Sequence, residues 1–337
     1  MRIAVDAMGG DYAPDRIVAG AVEAAASAGG RYEVVLVGDR PLLEKRFLKL
    51  IKGLPIEFVH AGEVVAMDES PSVALRSKKD SSITVAMELH GRGDVDGVIS
   101  AGSTGAAMVS ALHFLGRLPG VSRPALASFF PSTVSPVLVL DVGANVECRP
   151  SNLCEFGLMG SVYVQQVMGI ANPAVGLLSI GEESKKGTEV VVAAHQELLN
   201  SNLNFIGNVQ GGDILTSKVD VVVCDGFTGN TILKFSEAFT SLLTAGIKRG
   251  LSKNPPAKLG ALLMSPVLMD VKKEISYEEY GGAPMLGIDG TLVVCHGTST
   301  VRAIRNAVEV ASHMIEEGIN EHIKARLDKI HAANIQE

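Results

Sequence analysis

The ten residues PVLVLDVGAN, Pro136 to Asn145, decide how the rest of the chain is read. Val137 to Leu140 are continuously apolar, with no alternate polar position to face water. Such a run predicts a strand buried on both faces, as in a largely parallel sheet. It ends in Asp141-Val-Gly-Ala-Asn145, a polar turn carrying a glycine.

The same pattern repeats in both directions along the chain. RIAVDAM (2–8), EVVLVGD (33–39), IEFVHA (56–61), DGVISAG (96–102), AVGLLSIG (174–181), NFIGNV (204–209), DVVVCDG (220–226) and TLVVCHG (291–297) are short and rich in branched residues. Between them lie helical patterns such as AGAVEAAASA (19–28), GAAMVSALHFLG (105–116) and VRAIRNAVEVASHMI (301–315). Strand and helix alternate, which predicts βαβ units and an α/β fold: an open, largely parallel sheet with flanking helices.

Six of the strand runs end alike, in Asp6-Ala-Met-Gly-Gly10, Ser100-Ala-Gly-Ser-Thr-Gly105, Asp141-Val-Gly-Ala-Asn145, Gly181-Glu-Glu, Asp225-Gly-Phe-Thr-Gly-Asn230 and His296-Gly-Thr-Ser299. In an open parallel sheet the carboxyl ends of the strands form the ligand crevice. Glycine lets backbone approach a ligand, and a helix start offers unpaired N–H groups to an anion. Taken singly, each loop is equally well explained by turning and helix capping. None is a GxGxxG fingerprint or a GxxxxGK[ST] loop, so no nucleotide cofactor is required.

Composition narrows the class. A chain of 337 residues, 47% hydrophobic and 20% charged, is ordinary for a globular protein, and residues 1–337 are read as one domain. Its formal charge of −7 argues against nucleic acid as a partner. The apolar stretch at the N-terminus is short and interrupted by Asp6, which does not fit a signal peptide. Cys148, Cys154, Cys224 and Cys295 form no CxxC pair and read as reduced thiols in a cytoplasmic protein. No HxxxH or carboxylate cluster points to a metal.

Residues 250–280 depart from the pattern. Pro255, Pro256 and Pro266 break any single long helix, leaving a projecting helical hairpin with an apolar stripe that includes Leu259, Leu262, Leu263 and Val267. That stripe fits a peripheral membrane contact or a partner-subunit contact, and both readings stand.

Together the loops carry a resemblance. MRIAVDAMGGD, SAGSTGA (100–106), DVGAN (141–145), DGFTGN..LK (225–234), YGGAPMLG (280–287) and HGTS (296–299) resemble, in order and spacing, the bacterial phosphate acyltransferases of phospholipid synthesis. Ser103 stands where Asn is common and Thr298 where Ser is common; both keep a small polar side chain. The resemblance implies an isocitrate/isopropylmalate dehydrogenase-like fold and a homodimer. It also implies transfer of a fatty acyl group from acyl carrier protein to inorganic phosphate, without a cofactor. A downstream glycerol-phosphate acyltransferase would then use the product.

Attack of phosphate on a thioester needs held anions and a stabilised oxyanion more than it needs a base. The resemblance places a Lys-Gly pair at Lys186, the first candidate for a phosphate-neutralising cation. His296, as a donor to substrate or to the departing thiolate, and Asn145, as a donor to a phosphoryl or carbonyl oxygen or else a helix cap, complete the catalytic set. Gly102, Ser103, Thr104 and Asn230 are candidate phosphate or substrate contacts. Asp141 and Asp225 belong to the same set as residues that orient a donor or cap a helix, since a carboxylate repels phosphate. Cys295, beside His296, is set against a nucleophilic role because adjacent strand residues face opposite ways. Two rivals remain: a phosphate-ester dehydrogenase on the same fold, and a non-catalytic scaffold that brings carrier protein to a membrane.

Overall fold

The computed structural model describes residues 1–253, 255–275 and 280–334. Its strands are β1 (Arg2–Asp6), β2 (Glu33–Gly38), β3 (Ile56–His60), β4 (Gly97–Ser100), β5 (Ala125–Phe130), β6 (Val137–Leu140), β7 (Ala174–Leu178), β8 (Asn204–Val209), β9 (Val221–Val223), β10 (Ala283–Leu286) and β11 (Leu292–Val294). They form one sheet in the order β3-β2-β1-β4-β11-β10-β5-β6-β9-β7-β8.

The helices are α1 (Asp15–Ser27), α2 (Arg40–Phe47), α3 (Pro71–Ser77), α4 (Ser82–Gly91), α5 (Thr104–Phe114), α6 (Pro150–Met168), α7 (Glu189–Leu199), α8 (Gly226–Lys253), α9 (Pro255–Leu263), α10 (Ser265–Ile275), α11 (Val301–Glu316) and α12 (Ile319–Asn334). Helices α1, α6, α7, α11 and α12 cover one face of the sheet, and α3, α4 and α5 cover the other. The run at Val137–Leu140 shows why its composition is continuous. Leu138 and Leu140 enter the first core, Val137 and Val139 the second, and all four are fully buried.

Two blocks of the sheet are parallel: β3-β2-β1-β4-β11 and β6-β9-β7-β8. They are joined by antiparallel steps from β11 to β10, β10 to β5 and β5 to β6. Three reversals leave the two blocks running in opposite directions. The sequence reading contains neither β5 nor β10. ALASFF mixes in small residues, and APML is short and contains Pro284, which cannot donate to a ladder and counts against a central strand.

The register of this joint brings the two blocks' loops together. Leu140 pairs with Ala127, whose neighbour Leu126 pairs with Met285; Pro284, beside it, pairs with Val293. The carboxyl end of β6 therefore lies within a residue or two of the level reached by the carboxyl end of β11.

Helix α8 is 28 residues long and is followed along the chain by α9 and α10. Leu262, Leu263 and Val267 are exposed, as are Phe235 and Phe239 on α8. The side chain of Leu259, together with residues 254 and 276–279 of the predicted hairpin, lies outside the described residues. Among the described residues no helix is long and apolar enough to cross a membrane.

Candidate active site

At the joint between the blocks lies a cleft of about 270 Å³. Thr104 and His296 reach it from the first block, and Gly143, Asn230, Lys234 and Glu237 from the second.

One wall is the loop after β6, organised around the fully buried Asp141. Its Oδ1 accepts from the backbone N–H groups of Leu126, Gly143 and Ala144 at 3.1, 3.0 and 2.9 Å. Oδ2 accepts from the backbone N–H and side-chain amide of Asn145 at 2.6 and 2.9 Å. Burial pushes the Asp141 carboxyl pKa upward, and these donors pull against it. The other amide hydrogen of Asn145 goes to the Pro124 carbonyl at 2.7 Å. Both hydrogens of that amide are thus taken by protein acceptors, which fixes the loop and leaves neither for a ligand.

The start of α8 packs into this loop. Gly226 N–H donates to Asn145 O at 2.7 Å. A Cβ on Gly229 would lie 1.9 Å from the Asp141 carbonyl oxygen, so only glycine permits the approach. Asp225 caps the helix, accepting from the Thr228 N–H and hydroxyl at 2.8 Å each.

Beyond the first turn, α8 presents Asn230, Leu233, Lys234 and Glu237 to the cleft. Their spacing of i, i+3, i+4 and i+7 is one helix face. Asn230 is exposed and its amide has no partner among the described residues. Lys234 Nζ lies 2.9 Å from Glu237 Oε2.

The opposite wall comes from the first block. Ser100 Oγ donates to buried Asp6 at 2.7 Å and accepts from Gly102 N–H at 3.1 Å, holding the turn that begins α5. Ser103 is the N-cap of α5, its hydroxyl accepting from Ala106 N–H at 3.4 Å. Thr104, the first residue of α5, faces the cleft.

His296 sits past the end of β11, exposed to the cleft. The backbone N–H of Thr298 donates to its Nδ1 at 3.2 Å, and the Thr298 hydroxyl lies 2.7 Å from the same atom. An accepting Nδ1 leaves the proton of the neutral ring on Nε2, which faces Glu237 Oε2 at 4.0 Å. Next to it Cys295 also lines the cleft, since β11 ends at Val294 and the alternation expected to turn it away does not extend to it; it is 4% exposed, and burial pushes its thiol up to about 12. It is held as a thiol, not a nucleophilic thiolate.

A second cleft, of about 660 Å³, lies on the other side of the α8 start, between that helix and the start of α7. Gly187 and Thr188 line it, and Lys186, exposed and without an ion pair among the described residues, adjoins them. The structure therefore groups Thr104, Asn230 and His296 in one cleft and puts Lys186 beside its neighbour. Lys234 and Glu237 are the residues that the sequence reading missed. Their signal was the helical spacing from Asn230, which requires knowing that α8 continues past the glycine-rich start. Among the described residues no three His, Cys, Asp or Glu side chains gather as a metal site.

Solved structures of the same shape fix the class. EutD phosphotransacetylase from Staphylococcus aureus superposes with a TM-score of 0.59 at 16% identity over 94% of each chain. A branched-chain phosphotransacylase from Enterococcus faecalis V583 gives 0.59 at 13% identity over 94% of this chain and 99% of that one. The fold is the open α/β fold of these proteins.

Sequence relatives are much nearer. A family model described as "Fatty acid synthesis protein" matches residues 1–322. The phosphate acyltransferase of Moorella thermoacetica is 49% identical over 319 residues, 95% of this chain and 94% of that one. That of Heliobacterium modesticaldum is 48% identical over 336 residues, 98% and 100% of the two chains. The chain belongs to this family, and it is an acyltransferase.

Proposed function

We propose that the protein transfers a fatty acyl group from an acyl carrier protein thioester to inorganic phosphate, by direct attack in a ternary complex. The observation that carries this reading is the convergence of a helix start, a free amide, a lysine and a histidine on one cleft of an α/β acyltransferase.

In this reading phosphate rests at the α5 start, against Ser103 and Thr104, where unpaired N–H groups favour an anion, while Gly102, its N–H held by Ser100 Oγ, shapes the turn. Asn230, Lys234 and the Nε2–H of His296 meet its remaining oxygens and the developing oxyanion. Lys186 adds positive charge from the neighbouring cleft. Asn145, Asp141 and Asp225 act as positioning residues, holding the loop and the α8 start to which Asn230 belongs.

A phosphate oxygen attacks the thioester carbonyl carbon, forming a C–O bond and a tetrahedral oxyanion. The oxyanion collapses, the C–S bond breaks, and the thiolate leaves with the electron pair to take up a proton. Phosphate is largely a dianion near neutral pH and needs little activation, so preorganised donors supply most of the rate. The buried, protonated Cys295 supports direct transfer over an acyl-enzyme. No metal or organic cofactor takes part.

The exposed apolar residues of α8, α9 and α10 are assigned to a second copy of the chain and to a membrane surface, where a glycerol-phosphate acyltransferase would receive the product. An amphipathic helix with this much exposed Leu, Val and Met lies in an interface rather than in water.

Purified protein, given acyl carrier protein thioester and phosphate, should release free carrier protein and a hydroxylamine-trappable acyl phosphate. No phosphate-dependent product would leave the scaffold reading in its place. Nicotinamide binding would favour the dehydrogenase.

A further inference from the structure

We infer that the second cleft, between the starts of α7 and α8, is the binding site of the donor's fatty acyl chain. The inference rests on the function proposed above and adds the site that reads the chain.

The base of this cleft is Leu153, Leu177 and Cys224, all nearly fully buried, and its exposed rim carries Val146 and Ile180. Val191 of α7 and Ile232 of α8 are further lining residues. Several of its polar lining groups are already engaged inside the protein. Ser179 Oγ donates to Lys186 O at 3.0 Å, Thr188 Oγ1 accepts from Val191 N–H at 3.3 Å, and Thr228 donates to Asp225. Glu147 lies on the exposed rim. What remains for a ligand is mostly methyl and methylene surface, in a volume of about 660 Å³, with the Asp225 carboxylate at the α8 start. A pantetheine arm, whose amides need partners, is poorly served there; a hydrocarbon chain needs none.

The position fits as well as the lining. The loop after β6 gives Gly143 to the central cleft and then Val146 and Cys148 to the second. Helix α8 likewise gives Thr228 and Ile232 to the second cleft, and Asn230 and Lys234 to the central one. A thioester carbonyl at this shared wall meets phosphate from one side while its chain runs into the other. Lys186, at the mouth of the apolar cleft, then stands where the chain ends and the charged atoms begin.

The test uses two substitutions on different helices, Val191→Trp and Ile232→Trp, so that loss of folding in one does not decide the matter. Each buried methylene contributes about fourfold to binding, so displacing several of them should select against long donors. For either folded variant, the efficiency ratio of hexadecanoyl to octanoyl carrier protein should fall roughly tenfold or more, as expected for a few lost methylenes. The natural chain contains no tryptophan, so the introduced one is a unique reporter. A bromine-labelled long-chain fatty acid should quench it at concentrations that inhibit the unaltered enzyme. Equal slowing of both donors, or no quenching in a folded, active variant, overturns the assignment. Failure of the unaltered protein to make acyl phosphate would instead overturn the proposed reaction, while quenching still reports on the chain site.

Discussion

The backbone N–H and the side-chain amide of Asn145 both donate to Oδ2 of Asp141, at 2.6 and 2.9 Å. This pair, in turn, holds the α8 start through Asn145 O and Gly226 N–H. In Asp141→Asn the group at this position loses its charge and half of its accepting capacity. Stability should fall by roughly 2–4 kcal/mol, the scale of hydrogen bonds to a buried charged group. Urea denaturation of the purified variant measures it. A loss below about 1 kcal/mol would mean that the loop is held by other contacts.

Lys186→Ala should raise the Michaelis constant for phosphate with the fold intact. One lost charge-assisted contact is worth about 1.5–3 kcal/mol, or roughly 10- to 150-fold in efficiency. Steady-state kinetics with varied phosphate reads this directly. Unchanged phosphate kinetics would make Lys186 a solvated loop residue, and Lys234→Ala would then carry the expected loss alone.

Cys295→Ala should keep most of the activity, and iodoacetamide at neutral pH should not inactivate through this residue. Burial raises its pKa to about 12, so the reactive thiolate is scarce below that and grows only as pH rises. His296→Ala should lose about a hundredfold or more in turnover, the scale of a positioned proton donor. A folded Cys295→Ala variant without activity would revive the covalent route.

Activity should survive EDTA, since backbone, amide, lysine and histidine donors supply the charge stabilisation that a metal would give. Complete loss with chelator, reversed by a divalent ion, would contradict this.

Leu262→Glu with Leu263→Glu separates the two assignments of the apolar helices. Flotation with liposomes should fall, while the oligomeric state and activity in lipid-free assay persist. Dissociation on size-exclusion chromatography, or loss of soluble activity, would assign these leucines to the subunit contact instead.

Much of this fold is legible along the chain. Nine of the eleven strands among the described residues were readable because each is a continuous apolar run, and such a run has few other places to go than between two helical layers. Asp6, Asp141, Asp225 and His296 were legible for a related reason. Each ends or follows such a run, where a strand must give way to a loop, and Asp225 stands directly before a helix start. Their individual tasks were not legible. That Asn145 gives both amide hydrogens to Pro124 and Asp141 depends on partners 21 and 4 residues away.

The sequence by itself determined the layers, the strand ends and the family. Those follow from local chemistry: side-chain period, glycine freedom and the order of short motifs. Tertiary structure alone decided which ends meet. The antiparallel steps through β10 and β5 set Leu140 near the level of Val293, and so brought Asn230 and His296 to one cleft. The same arrangement left Lys186 beside a second, apolar cleft on the far side of α8. Register between distant strands is set by packing of the whole sheet, and no single segment carries it.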